Sequence, residues 1–250
     1  MIKARIAMAN AAQIERHVLS DATAAARAVA EWLLERTLAV EGAAALCLAG
    51  GSTPRRVYSM LAEKPLRDRF PWARAHWFFG DERVVPSDSP RSNYRMVREA
   101  LFDLVPIPPA NIHPVPTGLG DAAKVAAAYE AMLQEFYGSD RLAANRALFA
   151  ATLLGVGDNG HTASLFPASP ALSERQHWAV GVGDIPAEPR VTLTIPTLES
   201  SGEVAFLVTG AGKHNIVSRL AQGQDLPAAR IHPAGRLRWF LDRAAAGAVP

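Results

Sequence analysis

Short apolar runs alternate with helical stretches along this chain, and four of the runs stop at a polar turn that contains glycine. The runs are residues 44–49, 75–79, 147–154 and 204–208. Residues 21–38, 55–62, 93–104, 125–137 and 214–221 read as helices between and after them. In the first of these, Ala22, Ala25, Ala26, Val29, Leu33 and Thr37 share one helical face, and Asp21 suits the N-cap. Pro54 suits a first helical turn, and Gly138 closes residues 125–137. Residues 191–195 alternate apolar side chains with Thr192 and Thr194, as a strand does. Residues 236–246 read as a C-terminal helix with Leu237, Phe240 and Leu241 facing inward.

Strands this short and apolar are covered on both faces. The expected class is therefore α/β, a mostly parallel, Rossmann-like sheet flanked by helices. Ligands of such sheets bind beyond the carboxyl ends of the strands. The four glycine turns are thus expected to meet in one cleft, although they lie far apart in sequence.

Composition narrows the function classes. A chain of 250 residues fits one α/β domain, and residues 1–250 are read as one unit. The 26 basic and 24 acidic residues leave a net charge of +2, with no long basic stripe of the kind nucleic acid requires. The single cysteine, Cys47, cannot form an intrachain disulfide and sits in an apolar run, as a buried inert thiol does. No apolar stretch approaches the ~18 residues of a membrane span, and the N-terminus lacks a leader pattern, so the expected address is the cytoplasm.

The turns carry the chemistry. Gly50, Gly51, Ser52 and Thr53 combine close backbone approach, two hydroxyls and a following helix N-terminus, which together make a phosphate cradle. An ordinary strand-to-helix turn is the plainer reading of the same residues. No Walker lysine pattern is present, so a nucleotide is not implied. Arg83, in the turn Gly80-Asp81-Glu82-Arg83, suits a two-pronged phosphate contact, while Asp81 and Glu82 suit sugar hydroxyls or the fixing of Arg83. A surface turn with local ion pairs is the alternative. His161, in residues 157–167, follows a glycine turn at a strand end, where an imidazole can act as general base or acid. Lys213, after Gly210-Ala211-Gly212, can serve phosphate as a point charge or stay solvated.

These segments resemble the 6-phosphogluconolactonase family, related to the glucosamine-6-phosphate deaminases. The matching residues are 49–54, 79–86, 92–94, 155–167, 190–194 and 210–213, in family order. The run Gly-His-Thr-Ala-Ser-Leu-Phe-Pro, residues 160–167, separates lactonases from deaminases. The resemblance implies a fold similar to the glucosamine-6-phosphate deaminase, ribose-5-phosphate isomerase and CoA transferase group. It implies hydrolysis of 6-phospho-D-glucono-1,5-lactone in the oxidative pentose phosphate pathway. It implies no metal and no organic cofactor, a small-molecule substrate as partner, neither nucleic acid nor membrane, and a monomer or weak homodimer. It maps the proposed base onto His161. The phosphate contacts map onto Gly50 to Thr53, Arg83 and Lys213, and Arg190 matches a recurrent arginine near the substrate.

One departure stands out. The family usually carries aspartate where this chain has Asn159. Where a carboxylate would orient or charge His161, an amide does so less well; either Asp158, one position earlier, compensates, or Asn159 serves only as a turn residue that tolerates a left-handed conformation. Two rival readings follow: a deaminase or isomerase using a carboxylate such as Asp81 to move a proton at C2, and a sugar-phosphate-binding protein without catalysis.

Overall fold

The computed structural model describes residues 14–183 and 188–247. Residues 1–13, whose sequence bears on the leader expectation, lie outside them. The first unit runs through β1 (Ile14–Leu19), α1 (Ala22–Ala39), β2 (Ala44–Leu48), α2 (Ser52–Leu61), α3 (Leu66–Arg69) and β3 (Ala75–Phe79). A short β4 (Asp81–Arg83) follows, then α4 (Asn93–Ala100), α5 (Ala122–Tyr137) and β5 (Phe149–Leu154). The remainder is β6 (Ala179–Val182), β7 (Arg190–Leu193), α6 (Ile195–Glu199), β8 (Ser201–Val208), α7 (His214–Ala221), β9 (Arg236–Asp242) and α8 (Arg243–Ala246).

Six strands form the main sheet in the order β1-β9-β8-β5-β2-β3. Every neighbouring pair in it is parallel. Every residue of β2 is buried, as a strand covered on both faces must be. From β2 the chain steps outward to β3, then returns to β5 on the other side of β2. The loops after β2 and β5 therefore diverge, which opens a crevice at the carboxyl edge between them. A second, antiparallel sheet, β4-β7-β6, lies beyond the end of β3.

Two buried tyrosines fix the carboxyl ends of β2 and β3. The Tyr58 hydroxyl donates to the Ala49 carbonyl at 2.7 Å and accepts the Ala49 N–H at 3.0 Å. The Tyr129 hydroxyl treats Phe79 the same way, at 3.0 and 2.7 Å. Each phenol satisfies two backbone groups where the strand ladder stops, which a buried chain end requires. Burial raises the pKa of both phenols, so they remain neutral donors.

The helix at residues 21–38 and its Asp21 cap appear as α1, with Asp21 accepting from the Thr23 and Ala24 N–H groups. Cys47 is buried in β2, and burial pushes its thiol pKa up. Several elements differ from the sequence reading: β1 and β6 have no counterpart in it, and Asp81–Arg83, read as a turn, is the short strand β4. Residues 236–242 are a strand, not a helix, and only 243–246 are helical. Leu237, Phe240 and Leu241 fit a helical face, but so short an apolar run also suits a buried strand, and the slot between β1 and β8 pairs it on both sides. The second helix starts at Ser52 rather than after Pro54, with Gly51 as N-cap. Ser52 and Thr53 thus belong to its first turn, where backbone N–H groups lack helical acceptors.

Tyr58→Phe keeps the ring and removes the hydroxyl, leaving both Ala49 backbone groups without this partner. A loss of about 1–3 kcal/mol in urea unfolding is expected, with an unchanged m-value. A variant as stable as the parent contradicts the clamp.

Candidate functional site

A cleft of about 250 Å³ opens at the carboxyl edge of the main sheet. Gly50, Gly51, Ser52, Thr53, Asp81, Arg83, His161, Arg190 and Lys213 all line it. Its size is near the low end of pockets for small molecules, about 300–1,000 Å³. The four turns expected to converge do so. Asn159 lies behind the lining, in contact with the His161 ring.

The cradle begins where β2 stops. A Cβ on Gly50 would overlap the Asn93 side-chain amide, so only glycine lets these segments touch. Gly51 then caps α2, presenting first-turn N–H groups and the positive end of the helix dipole to the cleft.

Glu82 does not bind in the cleft. It is 2% exposed and accepts the backbone N–H groups of Arg83, Asn93 and Tyr94, each at 2.8 Å, and the Ser92 hydroxyl at 3.1 Å. Burial raises its pKa, and the three backbone donors pull it down. Its work is to tie the start of α4 to β4, which fixes Arg83 and Asn93 side by side. Asn93 Oδ1 accepts from Arg83 at 2.6 Å, and its Nδ2 donates to the Asp81 carbonyl at 2.9 Å.

Arg83 and Arg190 are register partners across the antiparallel β4–β7 pair. Like charges placed directly opposite each other repel. Both guanidiniums also bury an Nε that has no hydrogen-bond partner among the described residues. Burial, and then the charge of Arg83, lower the Arg190 pKa. Asp81 is the nearby counter-charge, 3.9 Å from Arg190. Two arginines facing one cleft suit an anion with several acceptor oxygens.

His161 sits on a tight turn. The Gly157 N–H donates to the His161 carbonyl at 2.8 Å, and a Cβ on Gly157 would overlap the imidazole. The ring lies against Phe166, centroids 4.5 Å apart, and the Arg190 guanidinium is 5.6 Å from the same phenyl. Asn159 Oδ1 accepts the His161 backbone N–H at 3.1 Å and meets ring Nδ1 at 2.6 Å. A backbone N–H can only donate, so the shared atom is the amide oxygen and Nδ1 carries the proton. The opposite ring nitrogen, Nε2, is left as a lone-pair acceptor. Burial lowers the His161 pKa, which favours the neutral ring.

Lys213 is partly engaged. Its Nζ donates to the Val156 carbonyl at 2.9 Å and to Asp158 Oδ1 at 2.6 Å. An ammonium has three donors, so one remains for a ligand. Asp158 turns toward Lys213, which lowers its pKa, and leaves Asn159 as the partner of the His161 ring. Gly210 is held by a residue the sequence did not flag: Asp242, at the end of β9, accepts its N–H at 3.0 Å. Ser164 was also missed. It is fully buried and donates to Asp81 Oδ2 at 2.6 Å. Ser164 lies in the singled-out run 160–167, but its role, like that of Asp242, is hidden in sequence because each acts through a partner distant in the chain. Among the described residues, no group of three or more His, Cys, Asp or Glu side chains is placed to hold a metal ion, and no helix is long and apolar enough to cross a membrane.

A family model described as glucosamine-6-phosphate isomerases/6-phosphogluconolactonase matches residues 20–239. A 6-phosphogluconolactonase of Synechocystis sp. is 42% identical over 216 residues, covering 85% of this chain and 87% of that protein. One from Nostoc sp. is 41% identical over 219 residues, covering 86% and 88%. The crystal structure of 6-phosphogluconolactonase from Thermotoga maritima superposes with a TM-score of 0.78 at 32% identity, covering 92% of this chain and 100% of that one.

Long-range ¹H–¹⁵N spectra of the free protein at neutral pH are expected to show His161 with a protonated Nδ1 and a bare Nε2. Its titration midpoint is expected below that of an exposed histidine. The reverse tautomer contradicts the role given to the Asn159 oxygen.

Proposed function

Because the chain belongs to the glucosamine-6-phosphate isomerase/6-phosphogluconolactonase family, we propose that it hydrolyses 6-phospho-D-glucono-1,5-lactone to 6-phosphogluconate, as one α/β unit serving the oxidative pentose phosphate pathway. The observation that carries the reading is the His161 ring. It is held with a bare Nε2 in the same cleft as two facing arginines and a helix N-terminus.

The phosphate lies among the Gly50–Thr53 turn, Arg83, Arg190 and the remaining donor of Lys213. That grip sets the lactone carbonyl beside His161. Nε2 takes a proton from water, and the oxygen of that water bonds to C1. The carbonyl electrons move onto its oxygen, giving a tetrahedral oxyanion. As the carbonyl re-forms, the bond from C1 to the ring oxygen breaks and that oxygen takes the proton from Nε2. The result is an open acid and a neutral imidazole. General base catalysis supplies about 10²–10⁴-fold, and fixed positioning supplies the rest.

The run Thr162 to Pro167 favours the lactonase over the deaminase reading. Within the site, Asp81 is engaged by Ser164, and a carboxylate so held is a poorer base at carbon.

Purified protein is expected to accelerate lactone opening above its spontaneous rate and to release no ammonia from glucosamine 6-phosphate. His161→Ala is expected to lose about 10²–10⁴-fold in kcat. Protein that binds 6-phosphogluconate but leaves the spontaneous rate unchanged would falsify the reading. The pH profile has a fixed sign. The neutral ring is the active form, so kcat/KM falls as pH drops through the His161 midpoint. Burial puts that midpoint below the ordinary imidazole value, leaving activity flat near neutrality. A profile still rising steeply above pH 7 contradicts the assignment.

A further inference from the structure

His161 must carry a positive charge while the lactone opens, yet the group bonded to its Nδ1 is a neutral amide. A carboxylate in that place would stabilise the imidazolium directly. Here the counter-charge has to come from elsewhere. The charged groups that line the cleft with the ring are Asp81 and Arg83 on β4, Arg190 on β7 and Lys213 before α7, and Asp158 lies on its own turn. Three are cations, which oppose the imidazolium. Asp158 is bonded to Lys213 at 2.6 Å, points into solvent and is largely neutralised by that pair. Asp81 is the remaining carboxylate, and it is buried at 8% exposure, where charge is poorly screened.

Asp81 is held by the turn that directly follows His161. Thr162 and Leu165 bridge that turn, and Ser164, inside it, is fully buried. The Ser164 hydroxyl donates to Asp81 Oδ2 at 2.6 Å, while its N–H donates to Thr192 Oγ1 on β7 at 3.2 Å. Among the described residues, the only side-chain donor to the other carboxylate oxygen is a longer contact, Asn93 Nδ2 at 3.4 Å. The Arg190 guanidinium, 3.9 Å from the oxygen that Ser164 occupies, has not closed on it. Without the hydroxyl, no other short side-chain contact among the described residues holds the carboxylate away from a full ion pair with Arg190.

We propose that Ser164 is a positioning residue that keeps the Asp81 carboxylate free of Arg190, so that Asp81 supplies through space the counter-charge for the His161 imidazolium that Asn159 does not. Among the described residues, Asp81 is the one carboxylate that lines the cleft together with the His161 ring, and its charge favours the protonated form. The kinetic arm of the test rests on the lactonase reading above, whereas the titration arm does not.

The test compares the parent with Asp81→Asn, Ser164→Ala, both together, and each change combined with Asn159→Asp. The His161 midpoint is first measured by NMR without substrate. It is expected to move to lower pH in Asp81→Asn and, by less, in Ser164→Ala. The pair together is expected to match Asp81→Asn alone, since Ser164 acts only through Asp81. Lactone hydrolysis is then expected to lose on the order of tenfold in kcat, equivalent to about 1.4 kcal/mol, with KM little changed. Adding Asn159→Asp places a carboxylate on Nδ1 and is expected to restore most of that loss.

An unmoved His161 midpoint in Asp81→Asn overturns the proposal. So does a Ser164→Ala shift that persists undiminished in the Asp81→Asn background, or a rise in KM with kcat unchanged, which marks Asp81 as a sugar-hydroxyl contact. Should Ser164→Ala fail to fold, Asp81→Asn alone still decides where the counter-charge lies. A parent protein inert toward the lactone removes the function proposed above, and the titration still reports on Asp81.

Discussion

A parallel sheet covered on both faces leaves its carboxyl edge as the one place where polar loops can gather. Strand backbones end there with carbonyl and N–H groups that need partners, and helices begin there with N–H groups that have none. In this chain the first need is met by the Tyr58 and Tyr129 phenols. The second is left open at the first turn of α2, beside the crevice where β2 leads one way to β3 and the other way to β5. The cleft follows from the strand order rather than from any single motif.

Charge arrangement gives that cleft its character. Arg83 faces Arg190 across a strand pair, with a buried nitrogen of each left without a partner among the described residues. Like charges so placed repel, and an anion bound between them would offset that repulsion. Glu82 is the hidden half of the device. By accepting three backbone N–H groups it fixes the strand and helix that carry Arg83 and Asn93, without entering the cleft itself. The imidazole is tuned the other way. Burial favours the neutral His161 ring, and the Asn159 oxygen places its proton on Nδ1 so that Nε2 is free, the form a general base requires.

Much of this was legible in sequence because it is local. A glycine pair between an apolar run and a proline-led helical stretch marks a strand-to-helix turn, and Asp21 caps α1 from within its own segment. His161 was legible because Gly157 and Gly160 leave no room for a core position. Residues 236–242 were misread because Leu237, Phe240 and Leu241 match a helical face, while the slot between β1 and β8 exists only after the sheet is assembled. Ser164, Asn93 and Asp242 were not legible as site residues for a related reason. Their partners Asp81, Arg83 and Gly210 lie 83, 10 and 32 positions away along the chain. The separate tasks of Asp81 and Glu82 were likewise hidden, since adjacent strand residues face opposite sides and only the packing says which side holds the cleft.

A crystal structure of the complex with 6-phosphogluconate shows whether one cleft grips a sugar phosphate by its anion and presents its C1 to a neutral imidazole. The phosphate is expected within hydrogen-bond distance of the α2 first turn and at least one of Arg83, Arg190 and Lys213, with the C1 carboxylate next to His161 Nε2. A ligand bound with its carboxylate at the arginines and its phosphate at His161, or bound away from the cleft, contradicts it.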